Sequence, residues 1–323
     1  MKPPKLFTLL LILALFVSSC STVLKSSKID YLTSNYCQPT IQYDYSQLET
    51  PQHKIQKQDS ILNANISKHD LLVSKAIGIE TYLAEYLQIK KDTLKKLVLK
   101  QKITDRLMLT TIEINALASE LDCNGERINK LADFVDDINN KRTKNLTVAS
   151  VTLGALTTVA TVLIKNNNAS NIVGVSGGLL SAGLGALTIS PKGKKINLRL
   201  QRNLLGNIWY NDNSNETYPN SIWTIINEKQ FSNSGENDLQ ESIKNRWLQY
   251  NFNGKIDSET QKLFFDDGGI YSADDLHSRA NMLNELQATI RSLEQDLKSL
   301  AVRLNRDEVQ NLGMKCQNKI RTL

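Results

Sequence analysis

The side chains that could do chemistry here are four cysteines, Cys20, Cys37, Cys123 and Cys316, and three histidines, His53, His69 and His277. A thiolate is the best side-chain nucleophile at neutral pH and a strong ligand for soft metals. No two cysteines stand in a C-x-x-C spacing, so zinc binding and thioredoxin-like exchange have no support. Each histidine stands alone and reads as a surface residue. Asp266-Asp267-Gly268-Gly269 is rich in oxygen but lacks the alternating ligands and closing glutamate of a calcium loop. It reads as a turn before a capped helix. Asp136-Asp137 and Asp274-Asp275 are adjacent pairs, which a helix points to different sides, so neither pair can share a proton or a metal. No H-E-x-x-H or phosphate-loop spacing occurs. By this reading the chain is not an enzyme and takes no metal or cofactor, and only Cys20 stands in a reactive context.

That context is the stretch MKPPKLFTLLLILALFVSSC. Lys2 and Lys5 precede Leu6 to Val17, a run without charge in which only Thr8 is polar. It is too short for a comfortable membrane span and suits the apolar region of an export signal. Val17-Ser18-Ser19-Cys20 closes it and resembles the bacterial lipobox: an aliphatic residue, two small ones and cysteine. Val17 departs from the usual leucine. The resemblance to bacterial lipoproteins covers the leader alone. It implies that Cys20 receives a diacylglycerol thioether, becomes the new N-terminus and carries fatty acids such as palmitate. Each buried CH2 of such chains contributes roughly 0.8 kcal/mol. Ser21 stands where an aspartate favours the inner membrane in some bacteria, and no acidic cluster follows. The expected place is therefore the cell envelope, at the outer membrane facing the periplasm.

About 300 residues follow the leader, enough for one large or two modest domains. Hydrophobic residues make up 41% and aromatics 6% of the 323-residue chain, in keeping with a helical protein. The net charge is +6, and the basic excess is spread over Lys90-Lys91, Lys95-Lys96 and Lys192/Lys194/Lys195. An exported chain with dispersed charge is a poor nucleic-acid binder. The same compartment permits disulfides. With Cys20 lipidated, Cys37, Cys123 and Cys316 allow one bridge and one free thiol, and spacing does not choose the pair.

Six segments follow. Residues 1–19 are the signal peptide, and 20–53, polar with Pro39 and Pro51, read as a lipidated tether with some irregular packing. Residues 54–145 repeat apolar residues at helical spacing (Leu72, Ile79, Leu83, Leu87; Leu107, Ile114, Leu117, Leu121), with breaks expected at Gly78 and Gly125. Residues 146–190 form a hydrophobic, glycine-rich hairpin: Leu146–Ile164 and Ala169–Ile189 are uncharged, and Lys165-Asn166-Asn167-Asn168 makes the tip. On its second arm Gly174, Gly178, Ala182 and Ala186 lie four apart, as do Gly177, Ser181 and Gly185. Such rows are helix-packing or membrane seams. Residues 191–271 are a mixed subdomain, with a helix expected at Leu239, Ile243 and Trp247 and strands at Ile208–Tyr210 and Ile222–Ile226. Residues 272–323 begin with a Ser272/Asp275 cap. They then repeat Leu283, Leu286, Ile290, Leu293, Leu297, Leu300 and Leu304 in a coiled-coil stripe. Its partner is expected either within the chain or in a homo-oligomer.

The fold expected is mainly α: long coiled-coil-like helices around a hydrophobic helical hairpin, with a small mixed subdomain. Basic flanks at Lys141, Arg142, Lys144, Lys192, Lys194 and Lys195 argue against a permanent inner-membrane hairpin, because such flanks prefer the cytoplasmic side. The hairpin is then either buried in a helical bundle, or a helix–helix packing layer with close backbone contact, or sheltered until it inserts. The last arrangement resembles helical pore-forming toxins in architecture alone. The function expected is a structural or interaction role at the periplasmic face, with membrane lipid as partner through Cys20. The alternative is a membrane-inserting, pore-forming-like protein.

Overall fold

A computed structural model describes residues 23–25, 27–34, 36–40, 61–189, 193–232 and 235–320, with side chains as far as 306. Cys20, the leader and most of the 20–53 segment lie outside the described residues. The chain is mainly α-helical. It divides into two compact units, one drawn from the described residues of Met1–Ser34, Arg127–Arg199 and Gly268–His277, the other from those of Asn35–Glu126, Leu200–Asp267 and Ser278–Leu323.

In the first unit, α1 (Ser27–Thr33) buries Ile29. Its last carbonyls, which no helix turn can satisfy, accept from the Arg127 guanidinium: Leu32 and Thr33 at 3.3 Å and Ser34 at 3.0 Å. The backbone of Leu32, Thr33 and Ser34 thus finds a fixed partner within this unit. The second unit holds α2 (Lys68–Ala76) and α3 (Glu80–Gln88). Ser67 caps α2 by accepting from the Asp70 amide at 3.0 Å. Gly78 separates the two helices at φ +71°, a left-handed conformation that favours glycine.

Helix α4 (Thr93–Leu163) is unbroken for 71 residues. The break expected at Gly125 does not occur. A Cβ there would come within 2.2 Å of Asn284 Oδ1, so glycine marks a close approach rather than a helix end. Helix α5 (Asn167–Ile189) follows, capped by Asn166 Oδ1, which accepts from the amides of Asn168 and Ala169.

Strand β1 (Ile196–Arg199) pairs antiparallel with β2 (Gly268–Tyr271), Ile196 opposite Tyr271 and Arg199 opposite Gly268. Gly268-Gly269, read as a turn, therefore opens a strand. The two strands expected elsewhere are helices instead, α6 (Leu204–Tyr210) and α7 (Asn220–Ile226). The buried residues of α7, Ile222, Ile225 and Ile226, stand at helical spacing, which outweighs the β-preference of isoleucine. Asp238 caps α8 (Leu239–Asn251), which buries Ile243 and Trp247 as expected. Asp257 caps α9 (Ser258–Phe265).

Helix α10 (Ala273–Ile320) starts at the expected cap: Ser272 Oγ accepts from the Asp275 amide at 3.2 Å, while the Ser272 amide donates to Asp275 Oδ2 at 2.8 Å. All seven residues of its leucine-rich stripe are buried. Within the second unit α10 runs antiparallel to α4. Asn284 faces Gly125, and Glu294 accepts from Asn115, so ten residues down one helix match ten up the other. Polar contacts from α2 flank the stripe, His69 Nε2 to Asp296 Oδ1 at 2.9 Å and Ser299 Oγ donating to Asp70 Oδ1 at 2.8 Å.

Candidate membrane-binding hairpin

The arms of the hairpin face each other through small and hydroxyl side chains. Ser150 Oγ donates to the Ser181 carbonyl at 2.7 Å, and Ser181 Oγ returns a bond to the Ser150 carbonyl at 2.9 Å. Ser170 Oγ donates to the Thr161 carbonyl at 2.9 Å nearer the tip. A Cβ on Gly177 would fall 2.1 Å from Thr157 Oγ1 and 2.5 Å from its methyl, so only glycine admits the facing helix. Gly174 sits against the Thr161 methyl and Gly185 against Ser150 Oγ. Gly154 on the first arm meets Ser181 Oγ.

This arrangement divides the rows read from the sequence between the facing arm and the outer surface. The arms pack through Ser170, Gly174, Gly177, Ser181, Gly185 and Thr188, which are buried or half-buried, at spacings of three and four. Gly178, Ala182 and Ala186 are exposed, and a Cβ on Gly178 would meet nothing within 4 Å. Rows exactly four apart drift around a helix of 3.6 residues per turn, whereas alternating threes and fours stay on one face. Gly174 from one row and Gly177, Ser181 and Gly185 from the other thus share the interface. Ser150, Gly154, Thr157 and Thr161 complete it on the first arm. Sequence reasoning passed over them because threonine and serine there interrupt no pattern.

The outer surface is apolar. Val151 is 68% exposed, Val162 80% and Leu179 67%, and Leu156, Ile172 and Val175 are exposed as well. Both arms are long and apolar enough to cross a membrane, and their large aliphatic side chains are mostly exposed. Nineteen residues of helix rise about 28 Å, close to a hydrocarbon core of about 30 Å. Hydroxyls on this outer surface are turned back onto the helices, Thr158 to the Gly154 carbonyl at 3.0 Å and Ser176 to the Ile172 carbonyl at 2.7 Å. Within the first unit the outer face of the hairpin is therefore neither buried in a bundle nor sheltered. Small polar contacts lie between the arms, and branched aliphatic side chains lie outside.

At the base the chain is drawn together. The Lys194 amide donates to Asn139 Oδ1 at 2.7 Å, tying the exit of the hairpin to its entry. Val23 bridges Lys195, and the Leu24 amide donates to the Lys195 carbonyl at 2.9 Å. Asp136, one turn before the basic flank, meets His277 Nε2 at 2.9 Å.

Gly174-Val175-Ser176-Gly177-Gly178 has the letter spacing of a nucleophile elbow, but Ser176 lies mid-helix and spends its hydroxyl on Ile172 rather than meeting a base. A shallow depression near Asn203, Tyr210, Asp266 and Asp267 holds a Tyr210 to Asp266 hydrogen bond of 2.7 Å. No cluster of potential metal ligands exists among the described residues. The Glu120–Arg202 pair, 3.0 Å apart, is half-sunk into the second unit, where burial raises the Glu120 carboxyl against the pull of Arg202. Arg202 also donates to the Thr217 carbonyl at 2.8 Å, a bond that pins a loop.

The pairing left open among the cysteines is Cys37 with Cys123, Cα atoms 5.6 Å apart. The Cys316 side chain lies outside the described residues. Compared with protein-family models, with curated proteins and with solved structures, the chain matches none.

Proposed function

We propose that this chain is a lipid-anchored bacterial envelope protein with a structural or interaction role at the periplasmic face of a membrane, and that its 146–189 hairpin lies in the bilayer. One observation carries the second half: the hairpin is polar between its arms and apolar outside. A soluble hairpin gains nothing by exposing its valines and leucines to water. In hydrocarbon the same surface is solvated by lipid, and the serine pair holds the arms together.

The pairing of Val23 with Lys195 supports a joint anchor. Val23 lies three steps along the chain from Cys20, a length that reaches at most about 11 Å. A lipid on Cys20 and the hairpin base would then meet the same leaflet. Entry from the periplasmic leaflet of the outer membrane keeps the basic flanks on the entry side. Lys165 is the sole charged residue between Lys144 and Lys192, so a crossing carries one charge.

Fractionation of cells labelled with fatty acid tests the pair. The Cys20→Ala variant should lose its label yet stay with the membrane. Adding Val151→Asp and Leu179→Asp should release it. Release by Cys20→Ala alone would exclude the hairpin as an anchor, and label persisting on Cys20→Ala would exclude the lipid site. The lightly charged tip supports a second reading, insertion in the manner of helical pore-forming proteins. Dye-loaded vesicles separate the two: a closed two-arm seam leaves them intact, and a pore empties them.

A further inference from the structure

We infer that the hairpin base is a binding collar for the headgroups of anionic phospholipids, an inference that rests on the membrane reading above and names the lipid class it selects. From Ile138 to Asn211 the chain has no aspartate or glutamate. Lys141, Arg142 and Lys144 stand immediately before the apolar stretch, and Lys194 and Lys195 follow it. Lys141, Arg142, Lys144 and Lys195 are exposed. The bond from the Lys194 amide to Asn139 Oδ1 brings both groups to one end of the hairpin. Lys141 lies within about 8 Å of Leu146 along the helix axis, the depth of a headgroup layer when the apolar arms fill the hydrocarbon.

The carboxylates of α4 nearest this collar, Asp136 and Asp137, stand at least a turn farther from the apolar stretch, and Asp136 is engaged by His277. Both therefore stand behind the cations on α4, while Asp274, exposed at the start of α10, follows Tyr271, the strand partner of Ile196 beside Lys195. A net basic array at that depth gains from an anionic surface and gains little from a zwitterionic one. Each basic side chain brought to an anionic surface strengthens binding about fivefold at low salt, and the effect is screened within a Debye length.

The test uses the full chain carrying Cys20→Ala, so that no lipid is attached, with flotation on vesicles of phosphatidylcholine alone or mixed with phosphatidylglycerol. Val151→Asp with Leu179→Asp sets the background, including whatever residues 6–17 contribute. Binding above that background should be far tighter on the mixed vesicles and should weaken in salt. Lys141→Gln, Lys144→Gln and Lys195→Gln together should lower it about a hundredfold, leaving only the preference carried by Arg142 and Lys194. The corresponding arginine variants, which also check the fold, should keep the preference. Lys90→Gln with Lys91→Gln, a change of charge elsewhere, should leave it intact. Equal binding to both vesicle types, or an equal loss per charge in the Lys90 and Lys91 variant, would overturn the collar and leave insertion standing. No binding above background on either vesicle would overturn the insertion reading itself.

Discussion

Asp257 illustrates how single residues shape this fold. Its carboxylate accepts from the amides of Glu259 and Thr260, both at 2.9 Å, at the start of α9. These bonds hold its pKa below the ordinary carboxylate range, the backbone bond to Thr260 contributing most. A group whose pKa is depressed by folding adds stability above its unfolded pKa, and that stability is lost as pH falls through the folded value. Asp257→Ala should therefore lower the melting temperature at neutral pH, and the difference from wild type should shrink on acidification below pH of about 4. Thermal melts over a pH series measure this. Capping of this kind is legible in sequence, as Ser272 and Asp275 demonstrate, because cap and amide are a turn apart. Gly125 is the opposite case: its role comes from Asn284 on another helix, which no local pattern reveals.

Among the elements, the hairpin makes the sharpest distinction between neighbouring residues. Gly177 faces Thr157, and Gly178 faces open space. Leucine at 177 should force the arms apart, at an overpacking cost of about 1–3 kcal/mol, whereas leucine at 178 should be tolerated. Cysteines placed at 150 and 181, whose serine hydroxyls lie 3.4 Å apart, offer the readout. Their crosslinking should fall about tenfold with Gly177→Leu and stay unchanged with Gly178→Leu. Two small-residue rows were evident in the sequence, and the facing arm decided which members meet it. The helices α6 and α7 make a related point. Their isoleucines and tryptophans resemble strand residues by type, and burial at helical spacing overrides that preference.

At the scale of the whole molecule, covalent closure matters most. The Cys37–Cys123 bridge spans 86 residues, a loop whose closure entropy stabilises the fold by about 4.6 kcal/mol. Reduction, or Cys37→Ala, should lower the free energy of unfolding by about 2–5 kcal/mol in denaturant titrations. Such a bridge fits the oxidising compartment to which an export signal would deliver the chain. Two further features act over long separations: the two-stranded sheet joins residues 196–199 to 268–271, and Val23 reaches Lys195.

By itself the sequence determined the helical character, the length and boundaries of two uncharged stretches, and the cap and buried stripe of α10. These depend on neighbours within a few residues, where periodicity, charge and capping act directly. Tertiary structure alone decided that Cys123 pairs with Cys37, that Gly125 lies within a helix, that strands form at 196–199 and 268–271, and that Gly177 rather than Gly178 meets the facing arm. Each of these is set by a group far away in the chain, whose arrival is a matter of packing. The hairpin's apolar exterior belongs to both levels: its composition was plain in the sequence, and only the fold left it uncovered.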